Sequence, residues 1–178
     1  MILAFHKPYG VLSQFTKNAS QHKTLAEYGF PKDVYPIGRL DSDSEGLLLL
    51  SDEKKWNDTL LNPRHEHERM YHAQVEGIPT EEVLTRLSKG LLIQGYKTKP
   101  CKVRLLENPG YSPRVVPIRV RLKIPTSWIE LKLVEGKNRQ VRHMTASVGF
   151  PTLRLIRVAI GKFHLENLEA GKWRKLIS

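Results

Sequence analysis

The apolar residues of this chain fall in short runs separated by strong turn signals, a pattern that predicts brief strands with helices set among them. The sharpest run is Leu47 to Leu50, four leucines between Gly46 and Ser51, which reads as a strand buried on both faces. Met1 to Phe5 is apolar and gives way to Lys7-Pro8-Tyr9-Gly10, so the chain is expected to begin directly in a strand, with no module before it. A short helix is predicted at Thr24 to Tyr28, closed by Gly29 as a left-handed cap with Pro31 beyond. Another is predicted over Asp52 to Leu61, with Trp56, Leu60 and Leu61 on one side and Asn62-Pro63 as the stop.

Alternation predicts a strand from Met70 to Val75, and Thr80 followed by Glu81 and Glu82 caps a helix that finishes near Gly90. Further strands are predicted at Lys102 to Leu106, Val115 to Ile124 and Trp128 to Val134, and Glu107 to Pro117, with Pro109, Gly110 and Pro113, reads as a mobile loop. Gly136 opens a predicted helix that ends at Gly149, with Val141, Met144, Thr145 and Val148 at i, i+3, i+4 and i+7 forming its inward face. Adjacent strands with interspersed helices place the chain in the α+β class, with a mixed or largely antiparallel sheet.

Composition narrows the partners. The chain has 178 residues, 40% of them hydrophobic, which suits one catalytic-sized domain over 1–178 with room for two lobes. Lys and Arg outnumber Asp and Glu by 29 to 18, for a formal charge of +11, which favours a polyanionic partner: nucleic acid first, an anionic membrane surface second. No apolar run approaches the roughly 20 residues of a spanning helix, and the first residues lack a signal-peptide profile. A cytoplasmic protein with no membrane partner is therefore expected. The single Cys101 allows no internal disulfide and reads as structural.

Against that charge, Gly38 to Gly46 stands out because it gathers Asp41, Asp43 and Glu45 next to the leucine strand. A carboxylate on a loop pinned to the core can be held ionised and desolvated, the state of a usable nucleophile or base. At the start of the 136–149 helix, Lys137 and Arg139 join exposed N–H groups and the positive end of the helix dipole, which suits a phosphate, although a solvated basic face has the same charges. Arg142 borders the inward face and wants a buried carboxylate; Asp41 is the best supply. A buried salt bridge without chemistry, and a local Arg39–Asp41 pair on a strand face, satisfy the same residues. Asp43 and Glu45 read as solvated loop carboxylates or caps.

Two metal readings fail on spacing. A calcium loop opening at Asp41 would need a bidentate Glu at its twelfth position, where Asp52 stands. His65 and His67 lack the i, i+4 spacing of a helical metal pair and a third ligand, so they read as part of a mixed-charge turn. Tyr71 alone would pass for a core aromatic whose phenol needs a partner.

Taken together, these motifs resemble the pseudouridine synthases of the ribosomal small- and large-subunit family. His6-Lys7-Pro8-Tyr9-Gly10 is similar to the family's first motif, Gly38 to Leu50 to its catalytic motif, and Arg69-Met70-Tyr71 to its tyrosine motif. Glu135 to Met144 resembles the basic-helix motif and Leu153 to Arg157 with Gly161 the closing one, while Ile124 to Trp128 and Met144 to Arg157 look closest to a large-subunit branch. The resemblance implies that family's fold, a sheet flanked by helices with a central active-site cleft. It also implies isomerisation of one uridine in 23S rRNA, either bare or in a large-subunit assembly particle, by a monomer that needs no cofactor and no metal.

By the same resemblance Asp41 is the essential carboxylate that starts cleavage of the N1–C1′ bond, Arg142 pairs with it, Tyr71 packs against the uracil and Leu155 covers its other side. Arg39 would fill the gap left by the displaced nucleotide, and Lys7, Leu40, Lys137, Arg139 and Arg157 complete the expected RNA contacts. The target base must be flipped out, at a cost of a few kcal/mol that phosphate contacts offset. Three features depart from the family pattern: Arg69 where many relatives have Lys, His143 where they have a second Arg, and the lack of a small RNA-binding module before the first motif. Recognition is then expected from this domain, from residues outside the given sequence, or from a preassembled RNA shape. Two rivals share these residues: a non-catalytic rRNA-binding factor, and a glycosidase using Asp41 with Asp43 or Glu45.

Overall fold

A computed structural model describes Met1 to Leu176 and divides the chain into two compact units, one made of Met1–His67 with the chain from Ile156 onward, the other of Glu68–Leu155. Strands pair mostly antiparallel, with parallel exceptions, and three α-helices occur among the described residues, so the class is α+β as expected. No helix among the described residues is long and apolar enough to cross a membrane.

In the first unit the strand Ile2–Lys7 lies between Trp173–Leu176 and the leucine strand Glu45–Ser51, antiparallel to both. Every residue of these two inner strands is buried. Leu48 and Leu50 face a cluster with Leu3, Phe5, Val11, Leu25, Val34 and Leu40, while Leu47 and Leu49, equally inaccessible, lie on the other side of the strand. Burial on both faces contributes about 1.5–3 kcal/mol per leucine, which is why an unbroken apolar run is stable here. On its far side the leucine strand meets Thr152–Ile160 in parallel, Glu45 opposite Ile156 and Gly46 opposite Arg157. That approach requires glycine: Gly46 has φ +104°, and a Cβ there would sit 2.2 Å from the Arg157 carbonyl oxygen.

The Thr24 and Gly29 signals operate as expected, with Thr24 Oγ1 accepting from Ala26 N and Gly29 at φ 66°, although Leu25–Tyr28 is a single 3₁₀ turn. The next helix, Lys55–Leu61, begins three residues later than the pattern predicts. Asp52 and Glu53 are held instead by the amino group of Met1, at 2.7 and 2.9 Å. Leu60 is buried but Leu61 is exposed, so only part of the predicted apolar side faces inward.

In the second unit Arg69–Glu76, Thr126–Leu133 and Lys102–Leu106 form an antiparallel trio with Thr126–Leu133 in the middle. One face carries Ala73, Val75, Ile129, Leu131 and Leu133, and it is covered by Leu84 and Leu87 of the helix Glu81–Lys89 and by Val141 and Met144 of the helix Gln140–Ser147. Thr80 caps the first of these helices through Val83 N. The predicted strand over Val115 to Ile124 does not form. Both edges of Thr126–Leu133 are already occupied, Pro117 can donate no ladder bond, and Val115 and Leu122 are fully exposed. The basic helix also starts four residues later than Gly136, because Arg139 adopts a left-handed conformation, φ 52°. A two-stranded hairpin, Leu92–Ile93 with Tyr96–Lys97, was not foreseen.

Candidate active site

The acidic loop belongs to the first unit, and its backbone is fixed on both sides of Asp41. Leu40, 7% exposed, anchors its side chain in the apolar cluster, and Ser13 Oγ both accepts from Leu40 N at 3.0 Å and donates to Leu40 O at 2.7 Å. On the other side, Ser42 O accepts from Gly10 N at 2.6 Å and from Lys7 Nζ at 3.4 Å. A turn then closes from Ser44 N to Asp41 O at 3.0 Å and feeds the leucine strand. Asp41 itself is half-buried. The segment 7–13 therefore holds both neighbours of this carboxylate by bonds worth about 1 kcal/mol each, the kind of support that lets a reactive group keep one geometry.

Lys7, expected at the RNA, is fully buried, and its ammonium donates to the carbonyls of Val11 at 2.8 Å and Pro8 at 3.0 Å as well as Ser42. Burial lowers its pKa to about 7; Glu45, Asp43 and Asp41 draw it back upward and Arg157 pushes it further down. Glu45 is likewise buried, 3% exposed, where a solvated carboxylate was expected. The reason is local: Glu45 is the first residue of the leucine strand, one residue past the register that puts Lys7 opposite Gly46, so a buried cation compensates it. Arg157, also expected at the RNA, is buried and donates from Nε to Leu47 O at 2.9 Å. Arg39 is exposed and donates to Gln14 Oε1 at 3.0 Å, and no strand forms over 38–41 to pair it locally with Asp41.

The remaining expected residues lie in the second unit. Tyr71 is half-buried, opposite Leu131 in register, and packs on the core cluster that contains Leu155 and Val141. Arg142 follows Val141 in the first turn of the basic helix and is half-buried, while Lys137 is exposed in the turn before it and Arg139 is half-buried at the helix cap. Of the predicted inward face, Val141, Met144 and Thr145 are buried, while Val148, just past the helix end, is only half-buried.

Two polar networks escaped sequence reasoning. On the outer face of the trio, His72, Glu130 and Arg104 stand abreast in register; His72 Nε2 lies 3.0 Å from Glu130 Oε2, and Arg104 donates to both carboxylate oxygens, Nε to Oε1 at 2.9 Å. Burial opposes ionisation of Glu130, but these partners outweigh it and hold its pKa below the ordinary value. Tyr111, from the segment predicted as a loop, reaches His72 Nδ1 at 2.6 Å and packs against Trp128 at 5.5 Å between ring centres. The second network joins Tyr96, Glu135 and Gln140. Strand alternation puts His72 and Glu130 on one face, but nothing in the sequence gives the register that makes them meet. Elsewhere, His65 Nδ1 donates to Thr59 O at 3.0 Å, in keeping with a mixed-charge turn, and burial pushes the Cys101 thiol up to about 11.

The family model for RNA pseudouridylate synthase matches residues 1–147. A protein of Xanthomonas campestris named ribosomal large subunit pseudouridine synthase E is 51% identical over 176 residues, covering 98% of this chain and 94% of its own length. One of the same name from Vibrio parahaemolyticus is 43% identical, covering 98% of this chain and 73% of the relative. Among solved structures, a crystal structure of pseudouridylate synthase superposes with a TM-score of 0.80 at 26% identity, over 99% of this chain and 70% of that one.

Proposed function

The chain belongs to the RNA pseudouridylate synthases, isomerases that act on RNA, and from that premise we propose that it converts one uridine of 23S rRNA to pseudouridine with Asp41 as the essential carboxylate. The observation that carries this reading is the bracing of Asp41: both of its neighbours are tied to segment 7–13, in a chain whose charge of +11 otherwise suits a polyanion. The names of the relatives support the ribosomal substrate.

In this reading the phosphates bind first, at Lys137, Arg139 and neighbouring basic residues, and the binding weakens steeply with salt. The target uridine leaves its stack, with Arg39 filling the space, and the uracil rests between Tyr71 and Leu155. Asp41 initiates breakage of the N1–C1′ bond, and Arg142 supports that step. The base turns, C5 bonds to C1′, the C5 proton departs with help from Tyr71, and N1 gains a proton. Atoms and oxidation state balance within the nucleotide, so the reaction requires no redox cofactor. The working unit is a single catalytic domain acting as a monomer in the cytoplasm, on rRNA either bare or in a large-subunit particle.

The test is release of tritium from rRNA labelled at uracil C5. Wild-type protein should release it, and Asp41→Asn should not, while still binding the RNA. No release by wild-type protein from any part of 23S rRNA would sink the assignment, and free uracil as the product would point to a glycosidase.

A further inference from the structure

Within 131–155 the second unit carries one carboxylate, Glu135, and it stands two residues from Lys137 and four from Arg139. Left to itself, a carboxylate there would pair with Lys137 or Arg139 and compete with any phosphate for them. Its oxygens are engaged elsewhere. Oε1 accepts from Lys99 N at 2.7 Å and from Gln140 Nε2 at 2.8 Å, and Oε2 accepts the hydroxyl of Tyr96. The turn is closed a second time by Gln140, whose side-chain oxygen accepts from Lys137 N at 3.1 Å while its own N–H reaches Lys137 O at 3.1 Å. Tyr96 also sits beneath the lysine: Lys137 Nζ lies 4.6 Å from the centre of its ring. The phenol is well placed to do both, because it follows a tight hairpin turn in which Gln94 and Gly95 both have positive φ, 47° and 76°.

We infer that Tyr96 is a positioning residue for RNA binding: its hydroxyl holds Glu135 away from Lys137, and its ring face fixes the ammonium of Lys137 where a phosphate can reach it. The inference rests on the reading of Lys137 as an RNA contact. The chemistry divides cleanly between the two parts of the side chain. The ring offers a cation a favourable face, while the hydroxyl is one of three hydrogen-bond donors to Glu135, beside Lys99 N and Gln140 Nε2, and the charge of Lys99 also favours the ionised carboxylate. Removing the hydroxyl alone frees one oxygen of Glu135 next to Lys137, and the lysine then exchanges a phosphate for a carboxylate.

The experiment compares wild type, Tyr96→Phe, Tyr96→Phe/Glu135→Gln and Lys137→Ala, using unmodified 23S rRNA transcript as the probe and measuring Kd across a salt series, with thermal melting as the control for folding. Loss of one phosphate contact lowers affinity about fivefold and reduces the slope of log K against log salt by about 0.7–0.9. Tyr96→Phe should show that loss, mainly in Kd and KM rather than kcat, and Glu135→Gln should restore binding to within about twofold by removing the competing charge. Unchanged binding by Tyr96→Phe, or a loss that Glu135→Gln does not restore, overturns the inference. Failure of the functional reading looks different: wild-type protein would then show no C5 tritium release, and Lys137→Ala would leave the salt slope as it was.

Discussion

Replacing Lys7 with Met should change how stability depends on pH, and the size of the change follows from where the ammonium sits. In the unfolded chain Lys7 holds its proton up to its ordinary pKa of 10.5, whereas in the folded protein burial lowers that to about 7, against the pull of Glu45, Asp43 and Asp41. Between those values the unfolded state binds the extra proton, so the folded state is favoured as pH rises. At about 1.4 kcal/mol per pH unit the whole window is worth at most roughly 5 kcal/mol, none of it gained below about pH 7 and all of it by about pH 10.5. Lys7→Met removes the titration and also leaves the carbonyls of Pro8, Val11 and Ser42 without this donor, a separate and pH-independent loss of about 1–3 kcal/mol for each acceptor that stays dry. Urea unfolding of both proteins from pH 7 to 10.5 measures the difference directly. The stability gap in favour of wild type should widen by several kcal/mol across that range, and a gap that stays constant would refute the argument, because it would mean that the buried amine keeps its solution affinity for protons.

Other outcomes follow from the same geometry. Gly46→Ala places a methyl 2.2 Å from the Arg157 carbonyl at φ +104°, so it should cost more than about 3 kcal/mol or prevent folding, as read by denaturant midpoint. Arg142→Met should lower the rate of C5 tritium release by at least about a hundredfold while the melting temperature shifts by only a few degrees, as expected if the proposed role of Arg142 lies in the chemical step and not in folding; full turnover in a folded variant would contradict that role. Cys101, with its thiol pushed up to about 11 by burial, should react with a disulfide reagent at pH 8 on the order of a hundredfold more slowly than in the unfolded chain, and equal rates would show that the site opens freely.

The sequence by itself determined whatever depends on neighbours along the chain. Four leucines in a row could only be stable with both faces covered, and they are; Thr24 and Thr80 cap turns because a hydroxyl reaches N–H groups two or three residues on; Gly29 ends a turn because it alone enters the left-handed region without strain. Asp41, Tyr71 and Arg142 were singled out by the resemblance of their motifs to a family, which needs only residue type and order along the chain; their roles are part of the proposed function. Tertiary structure decided what depends on partners far apart. Val115 to Ile124 has a strand-like pattern, but a strand needs a free edge, and the one beside it is occupied. Whether a charged residue meets solvent, RNA or the core cannot be read from its letter. Lys7 and Arg157 turned inward because Ser42 and Leu47, 35 and 110 residues away, present carbonyls to them, and Asp41 is held through Ser13, 27 residues from Leu40. The free energy of a charge depends on the groups within a few ångströms of it, and only the folded chain sets which groups those are.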